Sequence, residues 1–390
     1  MLRLLTAGES HGPALTAILD GMPAGLTLSP SVIDLELARR QKGYGSGGRM
    51  KIEKDSVQLL GGVLAGETTG APIAMLVENS EHTRWKGKAV EPMMTPRPGH
   101  ADLTGAVKYG YRDLRPALER ASARETAMRV ASGAICKHFL AQFGIVVGGY
   151  IVALGPISAE LGEMPYEERF SRAEESDVRC PLLASASHMH EEIEKTIHSK
   201  NTLGGVIEIV ALNVPVGLGS FVQWDKRLDA KLSMAIMSVQ AIKGIEVGDA
   251  FENAKRPGTQ AQDAIRLDPS SHLLTRGSNR AGGIEGGVSN GQPIVIRAAM
   301  KPIATTLTPQ ATVDLSAGSE SPTNYERSDF CPVPRAVPIL EAMTAFILAD
   351  ALIEKLGGDS LDEMRPRFAS LRKASLDDLP MDDTPHLFWE

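Results

Sequence analysis

Apolar residues recur at helical spacing in four long segments of the chain. The first opens with Ser29 and Pro30, a capping residue followed by a proline suited to the first helical position, and ends before Gly43. The second and fourth are apolar around most of their circumference, which predicts that they lie in the core. The predicted helices cover residues 30–42, 117–143, 225–244 and 339–356.

Segments rich in valine and isoleucine lie between these helices and are bounded by glycine or proline, a pattern typical of strands. The predicted strands cover residues 57–61, 72–77, 145–154, 206–213 and 293–300. A short strand is also expected immediately before His11.

One stretch of the sequence resembles another without gaps: residues 61–73 align on residues 282–294, with four glycines and a Pro-Ile pair in common. Each stretch follows a predicted helix ending in Lys-Gly, at 42–43 and 243–244, and precedes another long helix. This order predicts two related halves, about 1–200 and 201–358, packed about a pseudo-two-fold axis. Chance similarity between glycine-rich hairpins is the alternative. Residues 359–390 are acidic, and we expect a solvated, partly flexible tail.

Composition narrows the classes of function. The net charge of −7 disfavours a nucleic-acid binder, which would ordinarily be basic. The three cysteines have no CxxC spacing, which indicates reduced thiols and a cytoplasmic protein. The first residues, with Glu9 and only a short apolar run, do not resemble a signal peptide, and no segment is expected to be apolar enough for a membrane helix.

Two histidines stand in segments of unusual composition. His11 lies among small residues in Gly8-Glu-Ser-His-Gly12, where little would cover the ring, so it could exchange protons with a ligand. His100 lies in Arg97-Pro-Gly-His-Ala-Asp102, where proline and glycine fix a loop that presents a cation and a proton donor. Plain surface loops are the alternative for both.

Arginines cluster around the glycine-rich stretch 43–48 and again over residues 112–124. Guanidinium groups and exposed backbone N–H groups bind phosphate and carboxylate. Arg120 and Arg124 are four residues apart and are expected to share one helix face. A solvated face of mixed charge is the alternative, since Glu119 and Glu125 are adjacent. Zinc, EF-hand, Rossmann and P-loop spacings do not occur in the sequence, and no metal is predicted.

Together these segments closely resemble the chorismate synthase family over nearly the whole chain. The resemblance rests on Gly8-Glu-Ser-His-Gly12, Arg97-Pro-Gly-His-Ala-Asp102, residues 120–126 (Arg-Ala-Ser-Ala-Arg-Glu-Thr) and Ser289-Asn-Gly291. It implies an α+β fold, a β-α-β sandwich with long central helices between antiparallel sheets, in one domain over residues 1–358. It also implies a homotetramer and a lyase that eliminates phosphate and a carbon 6 proton from 5-enolpyruvylshikimate 3-phosphate, giving chorismate, with reduced FMN and no net redox change.

The resemblance also assigns roles to residues. His11 resembles the acid that protonates the departing phosphate, His100 the donor that sets the protonation of the flavin, and Asp329 the residue that works with flavin N5 on the carbon 6 proton. The residues resembling substrate contacts are Arg40, Arg49, Ser10 and Arg124. The residues resembling flavin contacts are Arg120, Ala121, Ser122, Gln240, Ala241, Gly286, Lys301, Pro302, Ile303, Ala304, Thr305 and Arg327.

One residue departs from the family pattern, because Ser46 stands where many members carry arginine. In the family this position is associated with NADP, together with Arg40. Serine has no basic group, so we expect the site to rely on Arg40 and Arg49 instead. FAD is a further nucleotide associated with the family. We expect flavin reduced by a separate reductase or NADPH system. The alternatives are a bifunctional form with its own NADPH-dependent flavin reductase activity, and a non-catalytic phosphometabolite-binding relative, which would not need His11, His100 and Asp329.

Overall fold

The computed structural model describes residues 1–46, 54–326 and 328–389. The helices are α1 (Pro30–Gln41), α2 (His82–Trp85), α3 (Asp102–Tyr109), α4 (Arg115–Ala121), α5 (Thr126–Ala141), α6 (Tyr166–Glu175), α7 (Leu183–His198), α8 (Leu228–Met237), α9 (Ala250–Asn253), α10 (Gly258–Ala261), α11 (Val333–Leu356) and α12 (Leu361–Ala369). The strands are β1 (Arg3–Ala7), β2 (Ala14–Asp20), β3 (Val57–Gly61), β4 (Val63–Leu64), β5 (Glu67–Thr68), β6 (Ile73–Glu78), β7 (Val146–Leu154), β8 (Ile157–Ser158), β9 (Gly205–Leu212), β10 (Ile242–Val247), β11 (Ile265–Leu267), β12 (Leu274–Arg276), β13 (Ile284–Glu285), β14 (Val288–Ser289), β15 (Ile294–Met300), β16 (Ala311–Asp314) and β17 (Ser319–Pro322).

Two antiparallel sheets enclose the central helices. One has the strand order β1-β2-β6-β3 and the other β10-β15-β9-β7-β8. Helices α5 and α11 pack on each other, α5 also contacts β2 and β7, and α11 contacts β7 and β9. The long helices therefore lie between the sheets, and the predicted α+β fold is confirmed.

Helix α11 is largely apolar and buried along most of its length, and it lies at the centre of the core. It is the one helix among the described residues that is long and apolar enough to span a membrane, yet 94% of that stretch is buried in the protein. The expectation that no segment would be so apolar was therefore wrong, and burial against α5 and the sheets explains why a core helix has this composition. The helix begins at Val333, ahead of the predicted start, with Pro338 inside its second turn.

The two similar stretches form matching hairpins, β4–β5 and β13–β14, whose turns lie at residues 65–66 and 286–287 with positive φ throughout. The Thr68 hydroxyl donates to Pro23 O at 2.6 Å and accepts from Leu26 N at 3.0 Å. The Ser289 hydroxyl donates to Pro215 O at 2.6 Å and accepts from Leu218 N at 2.8 Å. Strand order β1-β2-β6-β3 likewise corresponds to β7-β9-β15-β10. The two stretches therefore share their local structure. The match pairs β1 with β7, which lies before residue 200, so the division into halves at about that residue stays a prediction.

Two predicted helices are shorter than expected. The second breaks at Ser122, whose extended backbone (ψ 138°) separates α4 from a 3₁₀ turn and α5, and whose hydroxyl accepts a hydrogen bond from Arg124 N. The third ends at Met237, because Ala241 has φ 66° and residues 242–247 pair with β15 instead. Lys243-Gly244 therefore lies in a strand, and only the first half has a helix that stops at Lys-Gly.

The C-terminal segment is more ordered than an acidic composition suggested. Helix α12 buries Leu361 and Met364, and Leu274 N donates to Ala374 O at 2.7 Å. Residues 379–389 remain half-buried to fully exposed. The expectation of a solvated tail is therefore wrong for α12 and the residues beside β12.

Candidate active site

A cavity of about 650 Å³ is lined by residues from Ser10 to Ile339, a volume within the range of small-ligand sites. Its walls come from the β1–β2 loop, α2, the loop before α3, the α4–α5 junction, the segment after α8, the end of β15 and the start of α11. The predicted residues that line it are Ser10, His11, Arg40, His100, Ala121, Ser122, Arg124, Gln240, Ala241, Lys301, Ile303, Ala304, Thr305 and Asp329. Folding therefore brings together residues that are more than 300 positions apart in the chain.

His11 is held by a carboxylate that sequence reasoning did not assign to the site. The Nδ1 atom of His11 lies 2.7 Å from Glu119 Oε1, and the backbone N–H of His11 donates to Glu119 Oε2 at 2.8 Å. The ring also packs on Trp85, with centroids 4.6 Å apart. Glu119 and Trp85 are 108 and 74 positions from His11, so no local motif links them.

His100 is held in a similar way by Asp102, which is fully buried. The Nδ1 atom of His100 lies 2.5 Å from Asp102 Oδ1, and Arg97 Nε donates to Asp102 Oδ2 at 2.8 Å. Burial alone would raise the pKa of Asp102, but hydrogen bonds from His100 and Arg97 outweigh it and hold that pKa well below the usual range. Arg97 also donates to Thr305 Oγ1 at 3.1 Å, which ties this loop to the segment after β15.

Arg40 provides a cation with an open hydrogen-bonding position. Its Nε donates to Thr126 Oγ1 and its Nη2 to Ala123 O, both at 3.0 Å, while the buried Nη1 has no hydrogen-bond partner among the described residues. Burial, followed by repulsion from Arg335 and Arg124, lowers the pKa of Arg40 to about 9 despite the nearby Asp55. At neutral pH the group is still a cation, and a buried donor without a partner is a strong indication of an anionic ligand.

The other predicted polar residues of the cavity have protein partners. Arg124 Nη1 donates to both carboxylate oxygens of Asp55 at 2.7 Å, so its charge is largely balanced within the wall. Arg335, which sequence reasoning did not select, donates to Asp329 Oδ2 at 2.6 Å and thereby fixes that carboxylate. The Ser122 hydroxyl donates to Ser10 Oγ at 3.2 Å, linking the α4–α5 junction to the β1–β2 loop.

Comparisons with known proteins show the family of the chain. The sequence profile of the chorismate synthase family matches residues 2–353. The chain is 49% identical to the chorismate synthase of Trichlorobacter lovleyi over 93% of this chain and 97% of the relative, and 49% identical to that of Aquifex aeolicus over 94% and 96%. The chain belongs to the chorismate synthase family. It is accordingly a lyase of aromatic amino-acid biosynthesis that forms chorismate in the last common step of the shikimate pathway.

A solved structure extends the similarity to the fold. A crystal structure of chorismate synthase superposes with a TM-score of 0.78 at 43% identity, covering 94% of this chain and 96% of the other. The cavity described above therefore lies in a fold that a solved chorismate synthase shares.

Part of the cavity lining is apolar, as the flat, partly apolar ring of a flavin would require. Leu118, Val239, Met300 and Ile339 line it with apolar surface, and the buried Oε1 of Gln240 has no hydrogen-bond partner among the described residues. An acceptor of this kind fits a ligand N–H group. Ala241 has φ 66°, a strained conformation for a residue with a Cβ and one that recurs at ligand sites.

Several predicted residues do not line the cavity. Gly286 forms the turn of the β13–β14 hairpin, Pro302 is exposed, and exposed Arg120 donates to Thr6 O at 2.9 Å; none of the three lines the cavity. Arg120 and Arg124 do not share a helix face, because the break at Ser122 separates them. Ser46 donates to Gly43 O at 2.9 Å and also lies outside the cavity lining. The predictions for Arg49 and Arg327 concern residues outside the described ranges.

Proposed function

We propose that the cavity binds 5-enolpyruvylshikimate 3-phosphate together with reduced FMN and carries out the 1,4-elimination of phosphate. The observation that supports this most directly is the convergence of His11, His100 and Asp329 around a wall of cations in one cavity. A binding protein for phosphorylated metabolites would need the cations and would not need two histidines, each paired with a carboxylate.

Arg40 is proposed to hold an anionic group of the substrate through its open Nη1 donor. The surrounding cations, Arg97, Arg124 and Arg335, are each paired with a carboxylate and set the shape and potential of the wall. Charge that develops on the departing phosphate is then stabilised by groups already in position, with no solvent to rearrange.

His11 is proposed to donate a proton to the departing phosphate, and Asp329 to assist removal of the carbon 6 proton. Asp329 is held by Arg335, so the carboxylate keeps its direction during proton transfer. His100 is proposed to set the protonation of the reduced flavin. It lines the same cavity as the segment Lys301–Thr305. Reduced FMN, when bound, supplies electron density for breaking the carbon–oxygen bond.

Residues proposed to hold the flavin are Ala121, Ser122, Gln240, Ala241, Lys301, Ile303, Ala304 and Thr305. Lys301 Nζ donates to Gly99 O at 2.7 Å, so the segment Lys301–Thr305 is joined to the loop that carries His100. The reduced flavin is proposed to come from a separate reductase. Oxidation of NADPH by the pure protein with FMN would show the bifunctional form instead.

Anaerobic turnover tests the proposal. The substrate and photoreduced FMN are supplied, and chorismate absorbance and free phosphate are followed together. Equal amounts of both products, formed only with reduced flavin, are expected. Binding of substrate and flavin without product would instead favour the non-catalytic relative, and turnover without flavin would overturn the cofactor assignment.

Assembly and location are also proposed. Leu5 and Leu60 are 67% and 61% exposed on the four-stranded sheet, and exposed apolar side chains on a sheet face favour association between copies. A homotetramer is proposed, to be tested by light scattering after gel filtration. The cysteines Cys136, Cys180 and Cys331 are unpaired and buried, which supports a reducing cytoplasmic compartment.

A further inference from the structure

Glu119 contacts the His11 loop at three points. Its Oε1 lies 2.7 Å from His11 Nδ1, its Oε2 accepts from His11 N at 2.8 Å, and its backbone O accepts from Ser10 N at 3.3 Å. The carboxylate therefore binds both the ring and the main chain of one residue. This arrangement fixes the position of His11 relative to α4.

The same contacts determine which ring nitrogen can reach a ligand. Nδ1 is occupied by Glu119, so Nε2 is the nitrogen left to contact a ligand in the cavity. Trp85 packs on the ring at an interplanar angle of 41° and restricts its rotation. A histidine held at Nδ1 by a carboxylate has a defined tautomer and a defined direction for proton transfer.

The charge of the Glu119 carboxylate depends on the groups around it. Burial would raise the pKa of Glu119, but hydrogen bonds from the ring and backbone of His11, assisted by Arg115, lower it overall, so the carboxylate is ionised at neutral pH. The other titratable groups nearby are His82, whose Nδ1 lies 3.1 Å from His11 O, Arg84 on α2, and Glu9, which precedes the loop. Glu119 is the one described carboxylate whose oxygen lies within 4.0 Å of the His11 ring nitrogens.

We propose that Glu119 is a positioning residue for the reaction: it holds the proton on His11 Nδ1, directs Nε2 into the cavity and stabilises the imidazolium that donates to the departing phosphate. The proposal rests on the proposed role of His11 as the acid. Glu119 itself does not touch the substrate in this role.

The test compares kcat, KM and the pH dependence of kcat for the wild type, Glu119→Gln, Glu119→Asp, His11→Asn and the double variant Glu119→Gln/His11→Asn. Glu119→Gln keeps a hydrogen-bonding side chain of the same length, so the loop should remain folded while the charge is lost. We expect kcat to fall about 10- to 100-fold with little change in KM, the loss seen when the carboxylate partner of a metal-bound histidine is removed.

The alkaline limb of the pH profile, where the imidazolium loses its proton, is expected to move to lower pH in Glu119→Gln. Glu119→Asp should restore the limb in part, because the charge returns at a greater distance. In the His11→Asn background, Glu119→Gln should cause no further loss, since the two residues act as a unit. Glu191→Gln on α7, an exposed carboxylate, should behave as the wild type.

An unchanged kcat and pH profile in Glu119→Gln would overturn the proposal. So would an equal loss with and without His11, which is the behaviour of a residue that only stabilises the loop. Normal turnover by His11→Asn would overturn the role of His11, and the Glu119 proposal with it, while the elimination reaction itself would still stand on product formation.

Discussion

At the scale of single residues, the cavity holds cations that the fold only partly neutralises. Arg40 is the clearest case, since its buried Nη1 has no hydrogen-bond partner among the described residues and lies 3.7 Å from Asp55 Oδ2, an oxygen that Arg124 also shares. A buried donor without a hydrogen bond lowers stability, and the site therefore favours a ligand that accepts from Arg40.

Replacement of Arg40 tests this directly. Arg40→Gln should raise KM for the substrate about 10- to 100-fold, the value of one or two hydrogen bonds to a charged group. Steady-state kinetics under anaerobic conditions provide the measurement, and exposed Arg372→Gln is the matched control. A KM equal to that of the wild type would show that Arg40 does not contact the substrate.

Because of Asp102, the unfolding free energy of the protein is expected to decrease at acid pH. Its folded-state pKa is depressed, so the ionised carboxylate stabilises the fold above the ordinary aspartate pKa near 4 and this contribution is lost as the pH falls below that value. Asp102→Asn should lower the unfolding free energy at pH 7 by about 3 kcal/mol, because Arg97 loses its buried partner. Urea unfolding at pH 7 and at pH 3 measures both effects; the difference between wild type and variant should shrink at pH 3. Exposed Asp383→Asn should change neither value.

Sequence reasoning identified residues inside compact motifs and missed their distant partners. His100 and Asp102 stand two positions apart, so their motif is visible along the chain. His11 and Glu119 are 108 positions apart, and Asp329 meets Arg335 only because the chain enters α11 directly after the loop. Hydrogen-bonding partners brought together by the tertiary fold leave no local pattern.

At the scale of elements, long apolar periodicity predicted four helices and the strands between them. The first helix has nearly its predicted bounds, whereas the second is broken, the third is shorter and the fourth begins earlier. The errors came where a local preference competed with periodicity. Ser122 caps a new turn inside an apolar run, and residues 242–247 pair with β15 although they continue a helical pattern. Hydrogen bonding to a neighbouring strand is not visible in the periodicity of one segment.

The crossing of α5 and α11 depends on a residue without a side chain. A Cβ on Gly133 would clash with Ala342 on α11. Alanine favours helices over glycine by about 1 kcal/mol, but overpacking of a core costs about 1–3 kcal/mol. Gly133→Ala should therefore lower the unfolding free energy, as measured by guanidinium denaturation. Gly258→Ala, where a Cβ meets nothing within 4 Å, is the control and should not destabilise the protein.

At the scale of the whole molecule, the cavity takes its lining from distant parts of the chain and differs in charge from the protein as a whole. The overall charge is −7, yet the cavity lining contains six cationic side chains (Arg40, Arg84, Arg97, Arg124, Lys301 and Arg335) against three carboxylates among the described residues. A concave site of this kind concentrates the potential, so an anionic ligand is attracted despite the charge of the molecule.

The two matching hairpins can be tested through the buried hydroxyl group that anchors each of them. Thr68→Val and Ser289→Ala each remove a buried hydroxyl that joins two backbone groups, so each should lower the unfolding free energy by about 1–3 kcal/mol. The double variant should show the sum, because the sites share no partner. Urea titrations measure all three. Thr275→Val, with an exposed side chain, should have a small effect; a double variant far from the sum would show that the hairpins are coupled.

Helix α11 also has a consequence for how the protein is made. It is synthesised after almost every segment it packs against, so until it arrives the inner sides of α5, β7 and β9 have no cover. An unfinished chain therefore exposes a large apolar surface that is prone to association. The finished helix, until it packs, also exposes a largely apolar surface. A premature stop codon ahead of residue 333 would remove the whole helix, so we expect the truncated chain to aggregate rather than to fold into a weakened enzyme.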